Sequence, residues 1–183
     1  MQKKALILLA EGFEEIETVT PADILRRGGV AVTLAGIDGL TVKGSRSIAI
    51  CADALLCDCK TSDFDAVIVP GGGQGSKRLA ASHDVTALLE KFSECGKIIA
   101  AICAAPAVVL APRGILNGKK ATCFPGCESD LRPSTTFLTD AVVCDGNIIT
   151  SRAAGTSAAF SFAVLEALQG KEVADKVKTS MLF

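Results

Sequence analysis

Apolar and polar positions along this chain fall into runs that alternate between the lengths of strands and those of helices. Residues 4–9, KALILL, are nearly all apolar, the mark of a strand covered on both faces. A tight polar loop over 10–14 follows, then a helix through Arg27 ended by Gly28 and Gly29, then a second strand over 30–35. Thr20-Pro21 marks either the start of that helix or a kink in one begun near Glu15. Strand, helix and strand in this order predict a parallel pair with a right-handed crossover. Residues 37–51 are more polar, with turn glycines at 39 and 44, and read as a small antiparallel excursion. A core strand over 65–70 runs into Gly71, Gly72 and Gly73, and helices are expected over 74–81 and 83–94. The central stretch, KIIAAICAAPAVVLAP over 97–112, divides into a buried strand (98–102) and a helix (105–113) behind the first-turn Pro106. Residues 98–111 carry no charge over 14 positions, short of the ~20 that span a bilayer. Beyond this stretch come a short strand over 120–122, a loop over 125–133, and strands over 141–143 and 148–150 flanking the hairpin signal Asp145-Gly146. A helix over 156–168, with Phe160, Val164 and Leu168 on one face, ends at Gly170, and an amphipathic segment follows over 171–178.

Composition narrows what such a chain does. At 183 residues with 49% hydrophobic and 21% charged residues, one domain over 1–183 is expected. A chain of that size buries roughly 70% of its unfolded surface. A net charge of -1 without a basic stripe predicts neither nucleic-acid nor membrane binding. The apolar run at 5–10 is too short, and too soon followed by acidic residues, for a signal peptide. Eight cysteines without such a signal point to free thiols in a reducing cytoplasm. Neither Cys57 with Cys59 nor Cys123 with Cys127 has C-x-x-C spacing, and there is one histidine, so no metal site is expected. That histidine, His83, opens an exposed helix and is a poor recruit for a Ser-His or Cys-His dyad.

In open parallel sheets, ligands bind beyond the carboxyl ends of the strands. Four such ends carry notable residues: the loop over 10–15, Gly71 to Gly73, Cys103, and Ser151-Arg152. Cys103 falls between strand and helix, the place of a nucleophile elbow, although most free cysteines are only small buried hydrophobes. The three glycines match neither the P-loop nor the dinucleotide fingerprint, and an oxyanion hole of backbone N–H groups near Gly72 and Ala104 is the better reading. Glu14, Glu15 and Glu17 crowd the first loop, where acidic residues ordinarily serve a helix N-terminus; one of them facing the cysteine is the alternative. A helix N-terminus contributes at most ~2 kcal/mol, or about 1.5 pKa units from a thiol reference near 8.5. An ionised glutamate beside the thiolate would cancel that gain, so a Glu-Cys pair works only by sharing one proton.

The stretches 10–18 (AEGFEEIET), Pro70-Gly71-Gly72, 101–106 (AICAAP), and Ser151-Arg152 followed by Gly155-Thr156 together resemble the ThiJ/PfpI superfamily. Within it they are most similar to the branch of the Parkinson's-disease-associated protein deglycase (DJ-one) and its bacterial relatives. The resemblance implies a flavodoxin-like three-layer α/β sandwich with a mostly parallel sheet, usually homodimeric, with Cys103 as the reactive cysteine and Glu15 as its protonated partner. It further implies an anion pocket lined by the Gly72 and Ala104 amides, with Arg46 and Arg152 nearby, where surface salt bridging is the alternative for either arginine. It also matches Cys51 to a cysteine at the dimer interface of relatives, the alternative being a half-buried strand residue. Two departures separate the branches. Ala104 stands where the protease-like members carry a histidine, so peptidase activity lacks its base. Phe124, before Pro125, stands where the human-like members carry another, and it neither hydrogen-bonds nor moves a proton.

These readings converge on a cytoplasmic, cofactor-free glyoxalase or deglycase acting on a small carbonyl substrate, methylglyoxal or its early adducts, and giving lactate through Cys103 and Glu15. The alternative is an oxidative-stress sensor or chaperone in which Cys103 becomes a sulfinate and turnover is negligible.

Overall fold

The computed structural model describes residues 1–131 and 133–183; residue 132, inside the loop expected over 125–133, lies outside them. In chain order the elements are β1 (Lys4–Leu9), α1 (Glu15–Arg27), β2 (Ala31–Gly36), the hairpin strands β3 (Thr41–Lys43) and β4 (Ala49–Cys51), β5 (Ala54–Leu55) and β6 (Ala66–Val69). They continue with α2 (Gly73–Ala81), α3 (His83–Glu94), β7 (Ile98–Ile102), β8 (Lys120–Ala121), β9 (Thr136–Phe137), β10 (Val142–Asp145), β11 (Ile148–Ser151), α4 (Ser157–Gln169) and α5 (Lys171–Ser180).

Alternation of side chains along β1 divides the core in two. Leu6 and Leu8 join Val67, Val69, Ile99 and Ala101 on one face, where Leu79, Val85, Leu88 and Phe92 of α2 and α3 cover them. Ala5, Ile7 and Leu9 join Ile68, Ala100 and Ile102 on the other, beneath Ile24, Leu25, Phe160, Val164, Leu165 and Val177 of α1, α4 and α5. Both faces being covered is why the strands read as unbroken apolar runs. Seven strands lie in the order β10-β11-β7-β6-β1-β2-β5, all parallel but for β10, which pairs antiparallel with β11. This is the flavodoxin-like α/β sandwich that the sequence led us to expect, and the β1-α1-β2 crossover and the Asp145-Gly146 hairpin are part of it.

Three local differences have physical causes. The helix expected over 105–113 is a wide π-helical turn over Pro106–Leu110 that tightens to a 3₁₀ turn over Ala111–Arg113. Pro112 brings no N–H to the ladder and its ring crowds the preceding turn, so a regular α-helix cannot run through it. Helix α1 begins at Glu15 and runs through Pro21, which settles the Thr20-Pro21 ambiguity in favour of the earlier start. Strands β5 and β9 have two residues each, too few to leave a periodic signal. Among the described residues no helix is long and apolar enough to cross a membrane, and no group of three or more His, Cys, Asp or Glu is placed to hold a metal ion.

Candidate active site

The carboxyl ends of β1, β6, β7 and β11 converge on Cys103. Its backbone is left-handed (φ 66°), a conformation that costs a non-glycine residue about 1–3 kcal/mol. The surroundings hold it there: the Cys103 N–H donates to the Ser151 carbonyl (3.0 Å), and the Phe124 N–H donates to the Cys103 carbonyl (2.7 Å). Glycine is required alongside, because a Cβ at Gly71 would lie 2.5 Å from the Cys103 Cβ and 2.6 Å from Glu17 Oε2. The N–H groups of Gly72 and Ala104 both hydrogen-bond Cys103, so the two amides expected near the sulfur are there.

The carboxyl beside Cys103 belongs to Glu17, not to Glu15. Glu17 is 1% exposed; its Oε2 accepts the Gly71 N–H (2.9 Å) and its carboxyl hydrogen-bonds the thiol. Glu15 faces away, into the turn between β3 and β4, where Oε1 accepts the N–H groups of Arg46 (2.7 Å) and Ile48 (3.3 Å) and Oε2 accepts the Ser45 hydroxyl (3.2 Å). Two residues along a helix are a rotation of about 200°, so the two glutamates cannot serve the same side. Burial works against the charge on Glu15, but these donors and its own backbone N–H outweigh it and hold the carboxyl below its ordinary value. A carboxylate so held is a poor proton donor.

Glu17 has the opposite character. Burial pushes its carboxyl up to about 7, against the hydrogen bonds from Cys103 and Gly71 that favour the charged form. The Cys103 thiol is pushed up to about 12 by burial and by the Glu17 charge, against the amides of Gly72 and Ala104. The two groups are coupled through their hydrogen bond, so the protons leave the pair in two steps and the intermediate form holds a single proton between carboxyl and thiol. The Gly71 N–H favours the charge on oxygen, the other two amides favour it on sulfur, and a nucleophile and its proton donor are thus in contact without histidine.

Cys103 opens into a cavity of about 520 Å³, walled by Ser45, Arg46, Gly72, Ala104, Phe124 and Cys127 among others, which is room for a small organic ligand. Arg46 reaches this wall from the turn that Glu15 holds. Arg152 does not line it; one guanidinium nitrogen instead points to the Thr139 carbonyl (3.3 Å), so one arginine rather than two faces the cavity. Cys51 is exposed on β4, away from it. The reading that fixed on Glu15 missed Glu17, although its spacing carried a signal: Glu17 shares a helical face with the buried Pro21, Ile24 and Leu25, whereas Glu15 aligns with the exposed Val19 and Asp23. A carboxylate within an apolar stripe is the one that warrants a chemical explanation. Ser45 and Cys127 carried no comparable signal, since only the tertiary fold brings them to the wall.

Comparison with known proteins identifies the family and bears out the fold. The DJ-1/PfpI family model matches residues 3–167. Protein dj-1beta of Drosophila melanogaster is 42% identical over 184 residues, covering 100% of this chain and 98% of its own. A Caenorhabditis elegans relative called glutathione-independent glyoxalase DJR-1.2 is 38% identical over 173 residues, covering 93% and 91%. Among solved structures, Drosophila DJ-1beta superposes with a TM-score of 0.94 at 43% identity, covering 100% and 98%. Oxidized Toxoplasma gondii DJ-1 superposes with 0.95 at 35% identity, covering 99% and 98%.

Proposed function

This chain belongs to the DJ-1/PfpI family, and from that premise we propose that it is a cofactor-free glyoxalase or deglycase that converts methylglyoxal or its early adducts to lactate at Cys103. The observation that carries this reading is the buried Glu17 carboxyl in contact with a strained elbow thiol, with two backbone amides beside the sulfur. The name of the nematode relative points the same way. In the proposed reaction the Cys103 thiolate attacks the aldehyde carbon and forms a hemithioacetal, whose oxygen the Gly72 and Ala104 amides stabilise as its charge develops. Glu17, in the role that the sequence reading gave to Glu15, takes the proton from that carbon and returns it to the adjacent carbonyl carbon. The product is a lactate thioester, which water hydrolyses to lactate and the free thiol. Arg46 and Phe124 both line the cavity and offer the ligand a cation and an apolar surface. The eight free cysteines suit a reducing compartment such as the cytoplasm.

A second reading rests on the same donors. The Glu17 carboxyl and the two amides that stabilise an oxyanion would equally hold the oxygens of a Cys103 sulfinate, as a redox sensor requires. Lactate formation from methylglyoxal without glutathione, in the wild type and in Cys103→Ser and Glu17→Gln, separates the two. Turnover lost in both variants is the expected result; a wild type no faster than either variant removes the glyoxalase reading and leaves the sensor.

We further propose a homodimer through the face of α1. Ile16 (53% exposed) and Val19 (52%) lie one turn apart there, and the exposed Ile48 (58%) is tied to the start of the same helix through its N–H on Glu15.

A further inference from the structure

Cysteines 103 and 127 both stand on the wall of the cavity, and the backbone ties one to the other. Phe124, Pro125, Gly126 and Cys127 make a tight turn, closed by the Cys127 N–H donating to the Phe124 carbonyl (3.0 Å). Proline in its second position and Gly126 at φ 96° in its third are the type II pattern. The first residue of that turn is fastened to the elbow itself, through the Phe124 N–H on the Cys103 carbonyl (2.7 Å). Beyond it, Glu128–Asp130 packs against the helical turn that starts at Pro106, so the segment is anchored on both sides of Cys127. No other cysteine has this placement. Cys123 is fully buried in the core, Cys51, Cys57, Cys95 and Cys144 are exposed elsewhere, and the Cys59 thiol donates to the Leu55 carbonyl.

We propose that Cys127 is the resolving thiol of Cys103, closing a Cys103–Cys127 disulfide inside the cavity after a hydroperoxide has oxidised Cys103. The Cys103 thiolate attacks one peroxide oxygen, the O–O bond breaks, and sulfur is oxidised by two electrons to a sulfenic acid. The other oxygen leaves as water or an alcohol, taking a proton from Glu17. The Cys127 thiolate then attacks the Cys103 sulfur, forming the S–S bond and breaking the S–O bond, and the hydroxyl departs as water with the proton that Cys127 shed. Two small thiols reduce the disulfide, leave joined as one disulfide of their own, and restore both cysteines. The cavity thereby becomes a peroxide-reducing site, and Cys103 is intercepted before it climbs to the sulfinate. This rests on Cys103 being the reactive thiol of the site and is independent of glyoxalase turnover.

The test is to treat the purified protein with one equivalent of hydrogen peroxide, block free thiols with N-ethylmaleimide, and map the unreduced peptides by mass spectrometry. A peptide pair joined through Cys103 and Cys127 is expected in the wild type. In Cys127→Ser and Cys127→Ala, with melting curves to show that both fold, Cys103 sulfenate trapped by dimedone should rise and sulfinate should accumulate several-fold faster. Equal sulfinate rates in wild type and variants, with no joined peptide, overturn the proposal alone, as does a Cys123–Cys127 link in its place. A Cys103 that peroxide leaves unmodified in every protein overturns it together with the reactive-thiol reading beneath it.

Discussion

At the scale of single residues, the chemistry depends on which of two buried glutamates has too few donors around it to hold its charge. Glu17 is held at about 7 rather than the ordinary 4.5, so the folded state binds its proton more tightly than the unfolded chain does. Stability from this group is therefore fully present below about 4.5 and is lost as pH rises through about 7. Glutamine keeps the acceptor for the Gly71 N–H and never ionises. Glu17→Gln should thus be more stable than the wild type by up to about 3 kcal/mol at pH 8 and by under about 1 kcal/mol at pH 5, by urea denaturation at both values. The same variant should lose lactate formation, which would make Glu17 a residue that costs stability for the sake of the site. The crowding of three glutamates was legible in the sequence, and so was the apolar stripe that singles out Glu17. The resemblance chose Glu15, which the structure turns the other way.

At the scale of elements, α1 organises two things through its opposite faces. Its inner face brings Glu17 to the elbow, and its outer face brings Glu15 to the β3–β4 turn that carries Arg46 into the cavity wall. Loosening that turn should affect binding rather than proton transfer. Glu15→Ala is expected to raise KM several-fold with kcat close to wild type and to cost about 2 kcal/mol of stability, whereas Glu17→Gln lowers kcat. A steady-state comparison of the two variants checks this, with Glu15→Gln, which retains the acceptor oxygen, lying between Glu15→Ala and the wild type. The strands and helices themselves were readable because each is buried on one or both faces and so keeps an apolar period. The turn following Cys103 departed from its expected helix because Pro112 interrupts the hydrogen-bond ladder, an effect that composition alone understates.

At the scale of the whole molecule, Ile16, Val19 and Ile48 are exposed on a chain whose other large hydrophobics are mostly covered, and the proposed homodimer would cover them. If a second copy covers these residues, the wild type sediments as a dimer, and Val19→Glu with Ile48→Glu sediments as a monomer of unchanged circular dichroism. A monomeric wild type would remove the homodimer from the account.

By itself the sequence determined the layered α/β architecture, the order of its strands and helices, and the position of Cys103 at a strand–helix turn. Those follow from local periodicity, glycine and proline placement, and the rule that crossovers pack on both faces of a parallel sheet. Only the tertiary structure decided which carboxylate meets the thiol, that Arg46 but not Arg152 lines the cavity, and that Cys127 shares a wall with Cys103. These are relations between side chains far apart in the chain. They are set by helix rotation and by where three loops meet, and no local pattern encodes that meeting.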